Sequence, residues 1–538
     1  MQILLYDTIQ KEMKWKIAPR KSDYLIEQLL INRGIKTTKD KELFFHPKLE
    51  DFAGDLKIPG IPKAVKRILQ AVEKDELIVV YGDYDADGIC ASAILYKGLT
   101  SIGAKVLPYI PHREKEGYGL SKSGLEFVRD SGATLVITVD NGIVAIEQAK
   151  FAKKIGLDLI ITDHHIPGRN LPQALVIVHS TKMCGASVAW CLIKDLVKKE
   201  LAVELLQLAA IATVCDLLPL VGLGRAFVVE GLKVLNRTTN LGLLSLINEC
   251  GLRLQLGNIG SFEIGYMIGP RLNAMGRLDH AIDSLRLLCT KDPVKAKRLA
   301  KLLCEANTTR QQMTMEAVEQ AKLLVDEKQK IHVLASKEWS AGIIGLVAGK
   351  VAEGYNRPAI AISIGAEVSK GSARSIDGIN IVELIRKHSD ILIDVGGHPG
   401  AAGFSILSKY VEVFKKRLEK LALVLPEEEK VLEIEAEVES KQLTKSLVSE
   451  IEKFEPFGMN NKKPVFATKT MTVSDIRTVG EGKHLKFKAD NIDVIAFSFG
   501  DLITKLHEKQ IVDLAFQLEI NRFNGTEKLQ LKVLDVRY

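Results

Sequence analysis

From about residue 75 one hydrophobic theme repeats along the chain. LIVVY (Leu77–Tyr81), KVLPYI (Lys105–Ile110), TLVITVD (Thr134–Asp140), LDLIITD (Leu157–Asp163) and ALVIVHS (Ala174–Ser180) are short, β-rich apolar runs separated by stretches of helical spacing. Unbroken apolar strands between helical stretches predict parallel βαβ units with helices on both faces of the sheet. Residues 1–74 read instead as helical and charged, closed by the turn signals Pro59 and Pro62. Between Leu201 and about Val325 the spacing is helical again, with turns at Gly222–Gly224 and Gly269–Gly276. A second α/β pattern opens at IHVLAS (Ile331–Ser336), runs through PAIAISIG and KGSARSI, and ends near GGHPGAAGFSI. Beyond the charged segment Pro426–Lys430 the chain turns β-rich, and apolar and polar residues alternate on both sides of Asn524–Gly525, a hairpin signal. Phe487, Phe497, Phe499, Phe516 and Phe523 in that stretch read as the core of a small barrel. The predicted organisation is therefore 1–74 helical, 75–235 parallel α/β, 236–330 helical connector, 331–425 a second α/β domain and 426–538 a β-barrel.

Composition narrows this picture. The 538 residues suffice for three to five domains at roughly 100–200 residues each. With 46% hydrophobic and 26% charged residues, disorder as the main state is excluded. The net charge of +7 is too small for a uniformly basic coat, so any polyanion binding has to come from local clusters. The 7 cysteines form no C-x-x-C pair and read as reduced core residues of a cytoplasmic protein. Charges inside the apolar stretch of MQILLYDTIQKEMKWK argue against a secretory signal. Glu204, Gln207 and Asp216 break the apolar run Leu201–Leu223, which reads as a buried helix, and no membrane contact is expected.

The candidate chemistry sits at strand ends. In open α/β sheets ligands bind outside the carboxyl ends of the strands. Asp83, Asp85 and Asp87 follow the first strand, Asp140 ends TLVITVD, and Asp163, His164 and His165 end LDLIITD. Asp216 follows the apolar helix of ATVCDLLPL. A lone Asp after a strand is usually a turn residue or a helix cap. The conjunction is what points to function. Carboxylates and imidazoles crowded on one edge repel each other unless hard cations neutralise them, and Asp/His sets without thiolate suit Mn²⁺ or Mg²⁺. A site holding two such ions is built for in-line displacement at phosphorus, and diester hydrolysis is the natural reaction. No Walker A motif and no G-x-S-x-G argues otherwise.

At this point the residues resemble a family. YGDYDADG, VDNGI, TDHH and ATVCDLLPL are similar to the four motifs of the DHH phosphoesterases, in the form used by bacterial RecJ-type exonucleases. The resemblance continues through PHREKEGYGL, GPRLNAMGRL, KGSARS, GGHPGAAGF and FEPFGMNNKKPVF, in order, over about residues 75–538. It implies a 5′→3′ exonuclease of single-stranded DNA acting in repair and recombination. A DHH catalytic domain, a helical connector, an α/β domain with a GGH motif and an oligonucleotide-binding barrel go with it. Implied ligands of two Mn²⁺ or Mg²⁺ ions are Asp83, Asp85, Asp87, Asp140, Asp163, His164 and Asp216, with Asp140 bridging. Asp140, Asp163 and His165 carry the implied catalytic roles, His165 at the scissile phosphate. Arg113, Arg271, Arg277, Ser372, Arg374 and His398 are the implied grip on the strand, whose partners would include a helicase and a single-strand-binding protein. Asn273 reads equally as a helix cap. Two departures stand out: Asn460 and Lys462 where the family usually has Gly and Pro, and Asn141 where Cys is common. Rival readings are a DHH oligoribonuclease or nucleotide phosphatase, which lacks the barrel, and a non-catalytic replication scaffold, which would be expected to lose the carboxylates.

Overall fold

The computed structural model describes residues 13–113, 115–254, 259–426, 429–523 and 526–538. Residues 1–12 of the N-terminal region read above and the Asn524–Gly525 turn lie outside the described residues. The chain divides into two compact units, one of residues 37–310 with 455–462, the other of residues up to 36, 311–454 and 463–538.

The described chain opens on a strand, β1 (Lys14–Ile17), where the sequence reads as helical. Four residues of alternating lysine and apolar character carry no decisive local signal, and their partner is remote in sequence. In the first unit β2 (Leu77–Tyr81), β3 (Lys105–Tyr109), β4 (Ala133–Val139), β5 (Asp158–Asp163) and β6 (Val176–His179) form a parallel sheet ordered β3-β2-β4-β5-β6. Its strands are unbroken apolar runs because both faces are covered. Ile78, Val80, Ile137 and Val139 pack with helices Ala86–Ser101 and Gly185–Ile193. Val79, Tyr81, Val136 and Ile161 pack on the opposite side with helices Lys122–Asp130 and Ile146–Lys154.

Residues 455–462, distant in sequence, are built into this unit. Arg225, 1% exposed, donates to Phe44 O at 2.6 Å, Glu455 O at 2.6 Å and Pro456 O at 3.2 Å. Leu220 N donates to Met459 O at 2.8 Å, and Asn461 Nδ2 to Pro456 O at 2.9 Å. Asn460 stands at φ 60°, a left-handed conformation that glycine adopts freely and Asn tolerates better than most residues. That explains why Asn can stand where the family usually has Gly.

In the second unit β7 (His332–Ser336), β8 (Ala359–Ser363), β9 (Val368–Arg374), β10 (Leu392–His398) and β11 (Ala401–Leu407) form a mixed sheet ordered β10-β11-β9-β8-β7. β12 (Val431–Ile434) pairs in parallel with β1, and Trp15 Nε1 donates to Asp535 Oδ2 at 2.7 Å. After β13 (Ala436–Glu437), the strands β14 (Phe466–Val479), β15 (His484–Ala489), β16 (Ile492–Ala496), β17 (Ile511–Phe523) and β18 (Thr526–Arg537) close a barrel through the β14–β17 pairing. Phe487 and Phe516 are buried in it, whereas Phe497 lies 40% exposed with Lys532 over its ring. Among the described residues no helix is long and apolar enough to cross a membrane.

Candidate metal centre

The carboxyl ends of β2, β4 and β5 and the end of helix Lys199–Cys215 bring the acidic features of the sequence together. Asp85 caps helix Ala86–Ser101, its Oδ1 accepting from Asp87 N and Gly88 N at 3.0 Å. The cap and ligand readings are therefore compatible, since one oxygen serves the helix and the other is left for a cation. Asp87, two residues on, accepts from Gly185 N and Ala186 N at 2.7 Å, placing its charge at the positive end of helix Gly185–Ile193. Asn273 Oδ1 accepts from Ala86 N at 2.8 Å, so it steadies the helix that carries Asp87.

Asp140 ends β4 at φ 62°, and its amide donates to Thr162 O at 3.1 Å. His164 Nε2 lies 3.1 Å from Asp140 Oδ1, 3.5 Å from Asp216 Oδ2 and 3.6 Å from Asp87 Oδ2. Three overlapping donor sets result, each with its ligand atoms within 4.8 Å: Asp83, Asp85 and Asp140; Asp140, His164 and His165; Asp87, His164 and Asp216.

Asp163 is placed differently. Its Oδ1 accepts from His164 N at 2.7 Å, His165 N at 3.1 Å and His165 Nδ1 at 2.8 Å, and its Oδ2 from Ile143 N at 2.8 Å. Both oxygens are thus engaged in shaping the loop that presents the two histidines.

The electrostatics follow from crowding. Burial, then the neighbouring aspartates, push Asp83 and Asp140 well above the usual carboxylate range. The same causes raise Asp87 to about 7 and Asp216 to about 8. Burial and the charge of His165 pull His164 down to about 4, which leaves a neutral imidazole. For His165 burial acts downward, but the Asp163 hydrogen bond and charge outweigh it and hold it up at about 9.

The residues fit divalent cations. Asp83 Oδ1, Asp140 Oδ1 and His164 Nε2 are buried without a hydrogen-bond partner. Orphaned polar atoms of this kind are costly, and oxygen and imidazole donors without thiolate are the set that hard ions prefer.

Tyr118 is a member that the sequence reading does not single out. Its hydroxyl donates to Asp140 O at 3.0 Å and lies 3.3 Å from the His165 ring nitrogens. The available signal was an aromatic residue between Gly117 and Gly119 in the loop that follows β3. Arg113 lies over the Tyr84 ring at 4.9 Å, and the charge of Arg277 also reaches Tyr84. Arg271 is engaged elsewhere in the same unit, with Nε on Cys304 Sγ at 3.2 Å and Nη1 on Met267 O at 2.7 Å.

Ser372, Arg374 and His398 belong to the mixed sheet of the second unit. Arg374 on β9 pairs with Ala401, which in turn pairs with His398, so they share one row. Arg374 Nη1 lies 3.4 Å from Ser372 Oγ, and a β-carbon on Gly345 would stand 3.0 Å from that oxygen. Helix Ile344–Tyr355 therefore begins against both side chains.

Family models match the same architecture: the DHH family N-terminal domain at residues 77–213, the DHHA1 domain at 328–423 and the RecJ OB domain at 434–535. The chain is 36% identical over 533 residues to the single-stranded-DNA-specific exonuclease RecJ of Bacillus subtilis, covering 95% of this chain and 67% of that protein. It is 34% identical to RecJ of Thermus thermophilus, covering 90% of this chain and 72% of the relative. The crystal structure of T. thermophilus RecJ with Mn²⁺ matches at TM-score 0.86 and 29% identity, covering 98% of this chain and 80% of that one. Its structure with Mg²⁺ matches at TM-score 0.81 and 27% identity, covering 98% and 79%. Strand-end carboxylates, three matched domains in order and relatives aligned over most of their length agree: the chain belongs to the RecJ family of DHH-domain exonucleases.

Proposed function

We propose that the protein hydrolyses single-stranded DNA from the 5′ end at a centre holding two Mn²⁺ or Mg²⁺ ions. The observation that carries the reading is the place of Asp140, whose buried Oδ1 lacks a hydrogen bond, groups with Asp83 and Asp85, and lies 3.1 Å from His164 Nε2, which groups with Asp87 and Asp216. Asp83 and Asp85 would hold one ion and Asp87, His164 and Asp216 the other, with Asp140 shared between them. When bound, the ions supply a water of lowered pKa and neutralise the phosphoryl oxygens.

The remaining work falls to the chain's own residues. Asp163 fixes the His165 ring and keeps it protonated, so that its N–H is directed at a phosphate oxygen of the scissile diester. Tyr118 braces the same ring and the Asp140 carbonyl. Arg113 and Arg277 hold neighbouring phosphates, while Ser372, Arg374 and His398 bind the terminal 5′ phosphate. A row of donors beside a helix start suits an anion. Strand removal of this kind serves DNA repair and recombination. A substrate that must be single-stranded calls for an unwinding enzyme upstream, which makes a helicase and a single-strand-binding protein the natural partners.

The nucleotide-phosphatase alternative is disfavoured by the barrel matched at 434–535, which a short substrate does not need. The scaffold alternative is disfavoured by the intact donor sets. The deciding experiment uses single strands and duplexes labelled at either end, with Mn²⁺, Mg²⁺ or EDTA. Metal-dependent release of the 5′ label first, from single strands only, is expected. Release of the 3′ label first, or cleavage in EDTA, overturns the reading.

A further inference from the structure

The 7 cysteines are all free, and burial holds most of them protonated: Cys191 and Cys289 are each pushed up to about 12. Cys304 stands apart. It lies part-exposed on helix Pro293–Leu324, beside the same Arg271 and Met267 pair that Cys250, which follows helix Leu241–Glu249, also reaches. Arg271 Nε donates to Cys304 Sγ at 3.2 Å, and the other side of the guanidinium is anchored on Met267 O at 2.7 Å. The Cys250 sulfur itself lies 3.8 Å from Met267 O, a second acceptor for its proton. The neighbouring Cys250 thiol and Arg271 outweigh burial and the charge of Glu249, bringing Cys304 down to about 6. A guanidinium beside a cysteine sulfur stabilises its thiolate form.

We propose that Cys304 and Cys250 are a redox-reactive dithiol, with Cys304 the nucleophile, Cys250 the resolving thiol and hydrogen peroxide the oxidant. The Cys304 thiolate sulfur attacks a peroxide oxygen, so that an S–O bond forms, the O–O bond breaks and hydroxide leaves, taking a proton to become water. Cys250 then gives up its proton, and its sulfur attacks the Cys304 sulfenic sulfur. The S–S bond forms, the S–O bond breaks, and the departing hydroxide takes the proton as a second water. Two thiols have lost two electrons, and the peroxide has been reduced to two waters. In the disulfide Cys304 carries no charge, so Arg271 loses its anionic partner.

The test is chemical and independent of nuclease activity. With the full chain in Mg²⁺ at neutral pH, iodoacetamide should alkylate Cys304 about tenfold or more faster than Cys289, because rate follows the thiolate fraction. Arg271→Gln should slow that alkylation severalfold. Hydrogen peroxide should give a Cys250–Cys304 linked peptide, lighter by two hydrogens and reversed by dithiothreitol. In Cys250→Ser the sulfenic acid should persist at Cys304 and be trapped by dimedone. Alkylation of Cys304 no faster than that of Cys289, or peroxide treatment that yields neither the link nor the dimedone adduct, overturns the proposal.

Discussion

Gly185 faces Asp140 so closely that a β-carbon on it would stand 2.6 Å from the Asp140 Cβ and 2.8 Å from its Oδ1. The amide of the same glycine donates to Asp87 at 2.7 Å. One residue thus lets the start of a helix approach a strand end and tethers a second carboxylate there. Gly185→Ala should displace Asp140 or lift the helix, because overpacking a rigid core costs about 1–3 kcal/mol. The expected outcome is a lower melting temperature together with weaker Mn²⁺ binding by calorimetry. Unchanged metal affinity would mean that Asp140 can move without disturbing the centre.

Asp140→Asn should abolish cleavage while the fold persists. Asn is nearly isosteric and tolerates the left-handed φ of 62° better than Ala would. Removing one of several crowded carboxylates relieves repulsion, so the melting temperature in EDTA should hold or rise, and the further rise on adding Mn²⁺ should shrink. Since each tenfold in rate is about 1.4 kcal/mol, retention of more than about a tenth of wild-type activity is too small a loss for a shared ligand.

Much of this was legible in the sequence because the strands are short, unbroken and punctuated by acids at their ends. The period of the pattern set the sheet, and the strand ends set the site. What was not legible depended on distance along the chain. The strand Lys14–Ile17 becomes one only by pairing with Val431–Ile434. Arg225 is buried only because Glu455 and Pro456 return to accept from it. Tyr118 joins the site through a loop whose course no local periodicity reveals. Arg271, which the family resemblance implied as part of the grip on the strand, has the Cys304 sulfur beside it. Side-chain identity indicates what a residue can bind, but only the fold decides which partner is near.

Stability should fall in mild acid through His332. This histidine on β7 is 2% exposed, and its Nε2 lacks a partner. Burial, with the Arg357 charge adding to it, lowers it from 6.5 to about 4. The unfolded chain therefore takes up the proton more readily than the folded one. Stability is full above about pH 6.5 and is lost as pH falls towards about 4, by up to a few kcal/mol at about 1.4 kcal/mol per pH unit. Denaturant titrations across that range should show His332→Leu with a flatter profile than wild type, and parallel profiles would rule the residue out.

Truncation should depend sharply on where it is made. Oligonucleotide barrels contribute roughly 1–3 kcal/mol per stacked base, so losing β14–β18 should weaken binding to long strands and spare short ones. A chain ending at Pro426 also loses Glu455 and Pro456, which accept from the buried Arg225 guanidinium. Leaving that charge under-satisfied should cost several kcal/mol. Ending the chain after residue 463 keeps those acceptors. Hydrolysis of very short oligonucleotides should survive in the longer truncation and fail in the shorter, with circular dichroism melts tracking the difference. Equal loss in both would make the barrel itself necessary for the catalytic unit.

Arg374 provides the test of polarity. Its Nη1 donates to Ala373 O at 2.8 Å and lies 3.4 Å from Ser372 Oγ, which orients the guanidinium beside the start of helix Ile344–Tyr355. An exonuclease must recognise the strand end, and a charge-assisted bond to a terminal phosphate is worth about 1.5–3 kcal/mol. Arg374→Ala should therefore cost on the order of tenfold to a hundredfold in kcat/KM on 5′-phosphorylated strands. The loss should be much smaller on strands ending in a 5′ hydroxyl, where the partner is absent. Lys at this position should rescue only in part, since a point charge cannot reproduce a planar fork. The comparison needs strands differing only at the 5′ end and a fixed salt concentration, because phosphate contacts are screened. Equal losses on both substrates would assign Arg374 to the strand backbone or to the fold of the sheet. A selective loss would tie the start of digestion to the 5′ phosphate.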